Sequence, residues 1–217
     1  MKTPFDVRTG TLHKMNQGGT LIVKEYVHST KVIVQFVRTG FTTHAESGNI
    51  RKGEVKDLLQ PIIYGVGFVG TGHYSYVKDK KPHQTWRNML RRCHCEKTHL
   101  ERPTYVDCST VKEWHNFQTF CEWYYVNHPK DGGEYHLDKD MIVEGNKVYG
   151  PDTCSFVSPT DNAVEANAKY YTFVSPEGDV VEVYNLSEFC REKNLSQTNM
   201  SAVHLMKRKV HKGWTKA

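Results

Sequence analysis

The chain has 217 residues, 38% of them hydrophobic, and 29 Lys and Arg against 24 Asp and Glu give a net charge of +5. That length supports one sizeable core or two or three small ones, and the mild positive balance suits a polyanionic partner. No apolar run is long enough to cross a bilayer, the start MKTPFDVRTGTLHKM has no apolar leader segment, and the six cysteines are too sparse for a disulfide scaffold, so the expectation is a cytoplasmic protein without a membrane role.

Residues 1–64 read as a small β domain. TLIVKEYV and KVIVQFV are β-branched, alternating runs separated by HST, which predicts strands. Turn signals follow at Thr39-Gly40 and Ser47-Gly48-Asn49. The expectation is a three-stranded sheet ending near Pro61, with Lys24, Lys31, Arg38, Arg51 and Lys52 on its exposed faces.

Residues 65–81 begin with GVGFVGTG, which contains G-x-G-x-x-G. A dinucleotide loop needs a preceding strand, an immediately following helix and a later acidic residue. Here the aromatic and basic HYSYVKDKKPH follows instead. The glycines therefore predict a flexible linker or tight turns, and no nucleotide cofactor is expected.

Residues 82–170 start with a helix opened by Pro82. Trp86, Met89 and Leu90 make an apolar stripe at helical spacing, and Arg87, Arg91 and Arg92 fall largely on the other side. A second helix is predicted within PTYVDCSTVKEWHNFQTFCEWYYVNHP, with Trp114, Phe117, Cys121 and Tyr124 in its stripe and Pro129 as its stop. Cys93, Cys95 and Cys108 with His94, His99 and His115 do not have the spacing of a zinc site.

The stretch EYHLDKDMIVEGNKVY places His136, Asp138 and Asp140 at alternate positions, on one face of a strand. Gly145-Asn146 marks a loop, TCSFV a second strand, and Ser158, Thr160 or Asp161 can cap a helix near Asn162. The predicted unit is ββα. In it Asp138 and Asn162, with Asp140, are candidate oxygen ligands for Mg2+ or Mn2+. A histidine beside such an ion can activate water.

LDKDMIVEGNKVY followed by CSFVSPTDN resembles the ββα-metal motif of HNH endonucleases, in particular the bacteriophage homing-type group. The upstream helices resemble the segment that precedes the motif there, so the resemblance covers Trp86 to Asn167. It implies metal-dependent hydrolysis of phosphodiester bonds in duplex DNA. It makes Asp138 the metal aspartate, Asn146 the loop asparagine and Asn162 the second ligand. Where the family carries a histidine, this chain has Lys139. Three readings stay open: His136 takes the base role, Lys139 contacts phosphate while a metal-bound water attacks, or the unit binds DNA without cutting it.

Residues 171–217 predict a strand, VVEVY, and two short helices with a tight turn at NLSQTN. The second helix runs from Ser196 to about Lys207. This reads as a helix-turn-helix. Gln197, Thr198 and Asn199 are candidate base contacts. Lys207, Arg208, Lys209 and Lys212 are candidate phosphate contacts, as are Arg87 and Arg91. The layout resembles the DNA-binding repeats at the C-termini of phage homing nucleases, and the N-terminal sheet resembles an AP2-type DNA-binding domain. The fold expectation is therefore α+β: an N-terminal antiparallel β domain, a helical segment with a ββα-metal core, and a C-terminal helix-turn-helix. The expected partner is double-stranded DNA.

Overall fold

The computed structural model describes residues 4–143, 145–159 and 169–217. Its N-terminal strands β1 (Leu12–Lys14), β2 (Thr20–His28), β3 (Lys31–Phe36) and β4 (Thr42–Ala45) form an antiparallel meander in that order. Alternation puts Leu21, Val23, Val32, Val34 and Phe36 inward, where they join Val7, Met15, Ile50 and Val55 in one core. The sheet has four strands where three were expected. β1 is only three residues long, too short for a period of two to show. Ser47-Gly48-Asn49, expected as a turn, opens a short helix α1 (Ser47–Lys52). Gly53 ends it with φ 71°, and a Cβ there would stand 2.9 Å from Asn16 Oδ1.

The glycine-rich stretch is bound to its surroundings by backbone hydrogen bonds. Gly70 N–H donates to Leu58 O at 2.8 Å, Phe68 N–H to His115 O at 2.9 Å, and Phe117 N–H to Phe68 O at 3.0 Å. The Gln118 amide donates to Val69 O and Tyr74 O and accepts from Tyr74 N–H. Gly67 lies against Leu90 and Trp86 so closely that a Cβ would collide with both. These glycines therefore serve turns and close approach, not a free linker.

Helix α2 (Lys80–His94) starts two residues before Pro82, which occupies its first turn, where a missing N–H costs least. Trp86, Met89, Leu90 and Cys93 are buried, and Trp86 Nε1 donates to Trp114 O at 2.7 Å. The second long helix is shorter than predicted. A short helix α3 (Glu96–Glu101), one-turn 3-10 helices at Pro103–Tyr105 and Lys112–His115, and strand β5 (Ser109–Thr110) precede it. Helix α4 (Phe117–Asn127) begins at Asn116, whose side chain accepts from Gln118 N–H. It ends at His128, which is extended as a residue before proline must be. Trp114, Phe117, Phe120, Cys121 and Tyr124 close the second core with the α2 stripe. Each such large side chain contributes about 1.5–3 kcal/mol on burial.

Strand β6 (His136–Asp138) pairs with β8 (Ser155–Val157), and β7 (Val148–Tyr149) runs parallel to β5 with Thr110 opposite Tyr149. The loop between the two expected strands thus contains a strand of its own, which reaches back to the residues after α3.

The chain divides into two compact units, 1–129 with 137–156 and 130–136 with 157–217. In the second, β9 (Tyr171–Val174) and β10 (Val180–Val183) form a hairpin, followed by helices α5 (Leu186–Glu192) and α6 (Gln197–His204). Asn185 and Ser196 cap these helices through their side chains. Strand β11 (Thr215–Lys216) returns to pair antiparallel with β9. Phe173, Leu186, Phe189, Met200, Val203 and Trp214 form the third core. Helix α6 stops at His204, short of the expected Lys207, because Met206 takes φ 55°.

The protein is therefore α+β, with six α-helices and eleven strands in several small sheets among the described residues. None of those helices is long and apolar enough to cross a membrane.

Candidate functional site

The loop after β6 is stitched by side chains of adjacent residues. Asp138 Oδ1 accepts from Asp140 N–H at 2.7 Å and Met141 N–H at 2.9 Å, the turn geometry aspartate favours. Lys139 is only 6% exposed. Its Nζ donates to Asp140 Oδ1 at 2.8 Å, Asp140 Oδ2 at 2.6 Å and Asn146 O at 2.6 Å. An ammonium has three N–H groups, and all three are engaged. Burying that charge is tolerable because a carboxylate and a carbonyl meet it.

Asn146 completes the stitch. Its Nδ2 donates to Lys139 O at 2.9 Å and Val148 O at 2.7 Å, while Oδ1 accepts from Val148 N–H at 3.1 Å. Gly145, with φ 71°, makes the turn that brings the amide round.

Among the expected site residues, Asp138, Lys139, Asp140 and Asn146 are thus gathered in one loop. Asp140, an expected ligand, is engaged by Lys139 through both oxygens. Lys139, one of the two candidates for handling water or phosphate, has no N–H left for a substrate. His136 is exposed at the start of the strand. Asn162 lies outside the described residues.

Asp138 has a second oxygen, Oδ2, with no hydrogen bond among the described residues. One carboxylate oxygen suits a hard cation such as Mg2+, which is commonly held by one or two carboxylates with substrate phosphates and water completing the shell. No three His, Cys, Asp or Glu side chains converge to hold a metal ion among the described residues. The fit therefore rests on Asp138 alone.

Behind the loop lie buried thiols. Burial pushes Cys93 up to about 12 and Cys154 up to about 11, and it raises Cys108 as well. These groups are protonated at neutral pH.

Sequence reasoning missed two features of this region. The Thr110 hydroxyl stands 3.1 Å from Nε2 of both His94 and His115, whose rings meet edge to face. Burial lowers the pKa of each histidine; for His94 the neighbouring His115 and His99 add to it. No sequence spacing announces three residues from a helix end, a two-residue strand and a 3-10 turn. The second feature is Arg92, half-buried, with its guanidinium 5.5 Å from the Tyr105 ring centre. Its position three residues after Met89 sets it at the edge of the apolar stripe, and that signal was readable.

Arg87 and Arg91 are exposed, one turn apart on the solvent side of α2. In the C-terminal unit the residues after α6 fold back on that helix. Arg208 Nη1 donates to Asn199 Oδ1 at 3.0 Å and its Nε to Val210 O at 2.9 Å. Lys212 Nζ donates to Asn194 O at 2.8 Å. The buried His211 ring accepts through Nε2 from Ser196 N–H at 3.2 Å. Arg208 and Lys212 are therefore partly committed within the unit, whereas Gln197, Thr198, Lys207 and Lys209 are exposed.

Comparison with protein families, curated proteins and solved structures found no match for the chain.

Proposed function

We propose that the protein is a divalent-metal-dependent DNA endonuclease of the HNH type, hydrolysing phosphodiester bonds in duplex DNA. The observation that carries this reading is the division of labour at Asp138. One of its oxygens fixes the turn and the other has no hydrogen bond among the described residues, on a loop that Lys139 and Asn146 pin together. A fixed carboxylate with one oxygen to spare suits a Mg2+ or Mn2+ ion that phosphate and water also ligate.

Asp138 would hold the ion, with Asn162 as the second ligand that the resemblance to the HNH motif supplies. The ion supplies charge neutralisation at the scissile phosphate and the departing oxygen. His136, two residues before Asp138 on the strand, is the base that takes the proton from water. Lys139 and Asn146 keep the loop in shape. Arg87, Arg91, Lys207 and Lys209 offer charge to phosphates, and Gln197, Thr198 and Asn199 offer hydrogen bonds to base edges.

Cleavage of supercoiled plasmid by the purified chain, with Mg2+ or Mn2+ and with chelator, tests the reading. Metal-dependent nicking or linearisation, lost in Asp138→Ala and in Asn162→Ala, is expected. Cutting that survives both substitutions overturns it.

A second reading has its own support. Lys139 stands where the HNH family has a histidine, and its ammonium is fully used inside the loop. On that reading the unit binds duplex DNA without cutting it. Salt-dependent binding with no metal-dependent cleavage is its signature.

A further inference from the structure

We propose that Arg92 and Tyr149 form a seat for a phosphate oxyanion in the central core. Arg92 is half-buried, yet it takes part in none of the ion pairs of the described residues, which are Asp6–Arg51, Lys97–Glu101 and Lys139–Asp140. The N–H groups it leaves unbonded are not buried, so they are open to solvent and to a ligand. Its hydrogen bond is a long one, from Nη1 to the Tyr149 hydroxyl at 3.4 Å, and its flat face rests on Tyr105.

A guanidinium has five N–H groups, so four of them reach no acceptor among the described residues. Tyr149 is 2% exposed, and its oxygen accepts from Arg92 while its own proton is given to none of these residues. Burial also pushes the Tyr149 phenol up, so the hydroxyl keeps that proton. Apart from the Tyr149 oxygen, which Arg92 already uses, Arg92 and Tyr149 offer donors here and carry one positive charge. The complementary ligand has acceptors only and is negative. A phosphate group meets both conditions and matches the planar fork of arginine.

The seat adjoins the Asp138 loop along the chain. Tyr149 follows Val148 in β7, and the Asn146 side chain joins Val148 to Lys139 O. Resting on the nuclease reading, the phosphate is one from the backbone of the bound duplex; a free phosphate has the same chemistry.

The test uses the full chain with Arg92→Met and Arg92→Lys. Melting temperature is measured in inorganic phosphate and in chloride at equal ionic strength, and duplex affinity is measured against salt. Arg92→Met, with the charge gone and the stem kept, is expected to melt no lower than the parent in chloride and to lose any protection by phosphate. Its duplex affinity falls roughly tenfold, and the log–log salt slope is shallower by about 0.9. Arg92→Lys keeps the slope but loses affinity, because an ammonium cannot grip two oxygens at once. A changed slope without phosphate protection supports the seat and assigns it to the duplex; protection without a changed slope supports it and assigns it to free phosphate. If the parent binds no duplex but phosphate protects it through Arg92, the nuclease reading fails and the seat stands. If Arg92→Met melts lower and both variants match the parent in phosphate response and duplex binding, the arginine is a structural strap and the proposal is wrong. Should Arg92→Met not fold, a folded Arg92→Lys with unchanged affinity and phosphate response overturns it equally.

Discussion

Lys139 and Asn146 hold one another in both directions: the lysine ammonium donates to the asparagine carbonyl at 2.6 Å, and the asparagine amide donates to the lysine carbonyl at 2.9 Å. Removing either partner strands a polar group in the other. Lys139→Ala and Asn146→Ala are each expected to lower unfolding free energy by about 1–3 kcal/mol. Because they share one clasp, the double variant costs less than the sum by at least about 0.5 kcal/mol. Urea denaturation of the four proteins checks this, and strict additivity would show that the clasp is not a unit.

On the proposed nuclease reading, Asp138 separates stability from activity. Asp138→Asn keeps an oxygen for the Asp140 and Met141 N–H groups but removes the charge. Its stability is expected to stay within about 0.5 kcal/mol of the parent, while metal-dependent cleavage disappears. Asp138→Ala loses the turn as well and melts lower. If Asp138→Asn cuts plasmid at the parental rate, the carboxylate is not holding the ion.

The histidines give the fold a pH dependence of definite sign. His94, His115 and His211 all have folded-state pKa values below the ordinary 6.5, with burial the largest cause in each. His99 faces His94, while Glu113 and Lys112 act on His115; Arg208 and Lys212 act on His211. The unfolded chain then binds more protons than the folded one over the window between the folded values and 6.5. Stability is therefore full above about 6.5 and falls as pH drops through that window. His211→Gln should flatten the profile of the C-terminal unit. His94→Gln with His115→Gln should shrink that of the central core, where His83, lowered by burial and by Arg87, keeps a share of the same sign. Denaturation midpoints across this range, read with the tryptophan signal, are the measurement; a profile rising toward acid would contradict the sign.

The basic residues of the C-terminal unit should divide into two groups. On the proposed DNA-binding role, Lys207→Ala and Lys209→Ala are each expected to weaken duplex binding uniformly and to reduce the log–log salt slope by about 0.9. Lys212→Ala acts chiefly on stability, because its ammonium holds Asn194 O. Arg208→Ala frees the Asn199 amide and alters sequence preference more than overall affinity. Binding to a randomised duplex pool at two salt concentrations distinguishes these effects.

Much of the architecture could be read from side-chain periodicity. Leu21, Val23, Val32 and Val34 alternate over long enough runs to announce β2 and β3, and Trp86, Met89 and Leu90 announce α2. Ser196 marked its helix start because a short polar side chain beside an apolar stripe is a capping signal. What escaped was short or distant. β1, β5, β7 and β11 have two or three residues each, below any period, and their pairing depends on partners far along the chain. Trp114 shared the spacing of α4 but precedes it, because Asn116 competes for the backbone as a cap. At the candidate site, Asp138, Lys139, Asp140 and Asn146 were legible as a group from alternation and the Gly-Asn turn. That Lys139 would point inward onto Asp140 was not, since charge and spacing alone do not say which side of a loop is buried.

The strand that completes the C-terminal sheet is also the last of its strands to leave the ribosome. β9 and β10 can pair early, but Trp214 fills the core against Phe189, and β11 covers the open edge of β9, only after about thirty further residues have emerged. Until then the nascent unit exposes Phe173 and an unpaired strand edge to its neighbours. A stop codon ahead of Trp214 would leave that exposure permanent, giving a species prone to pair edge to edge.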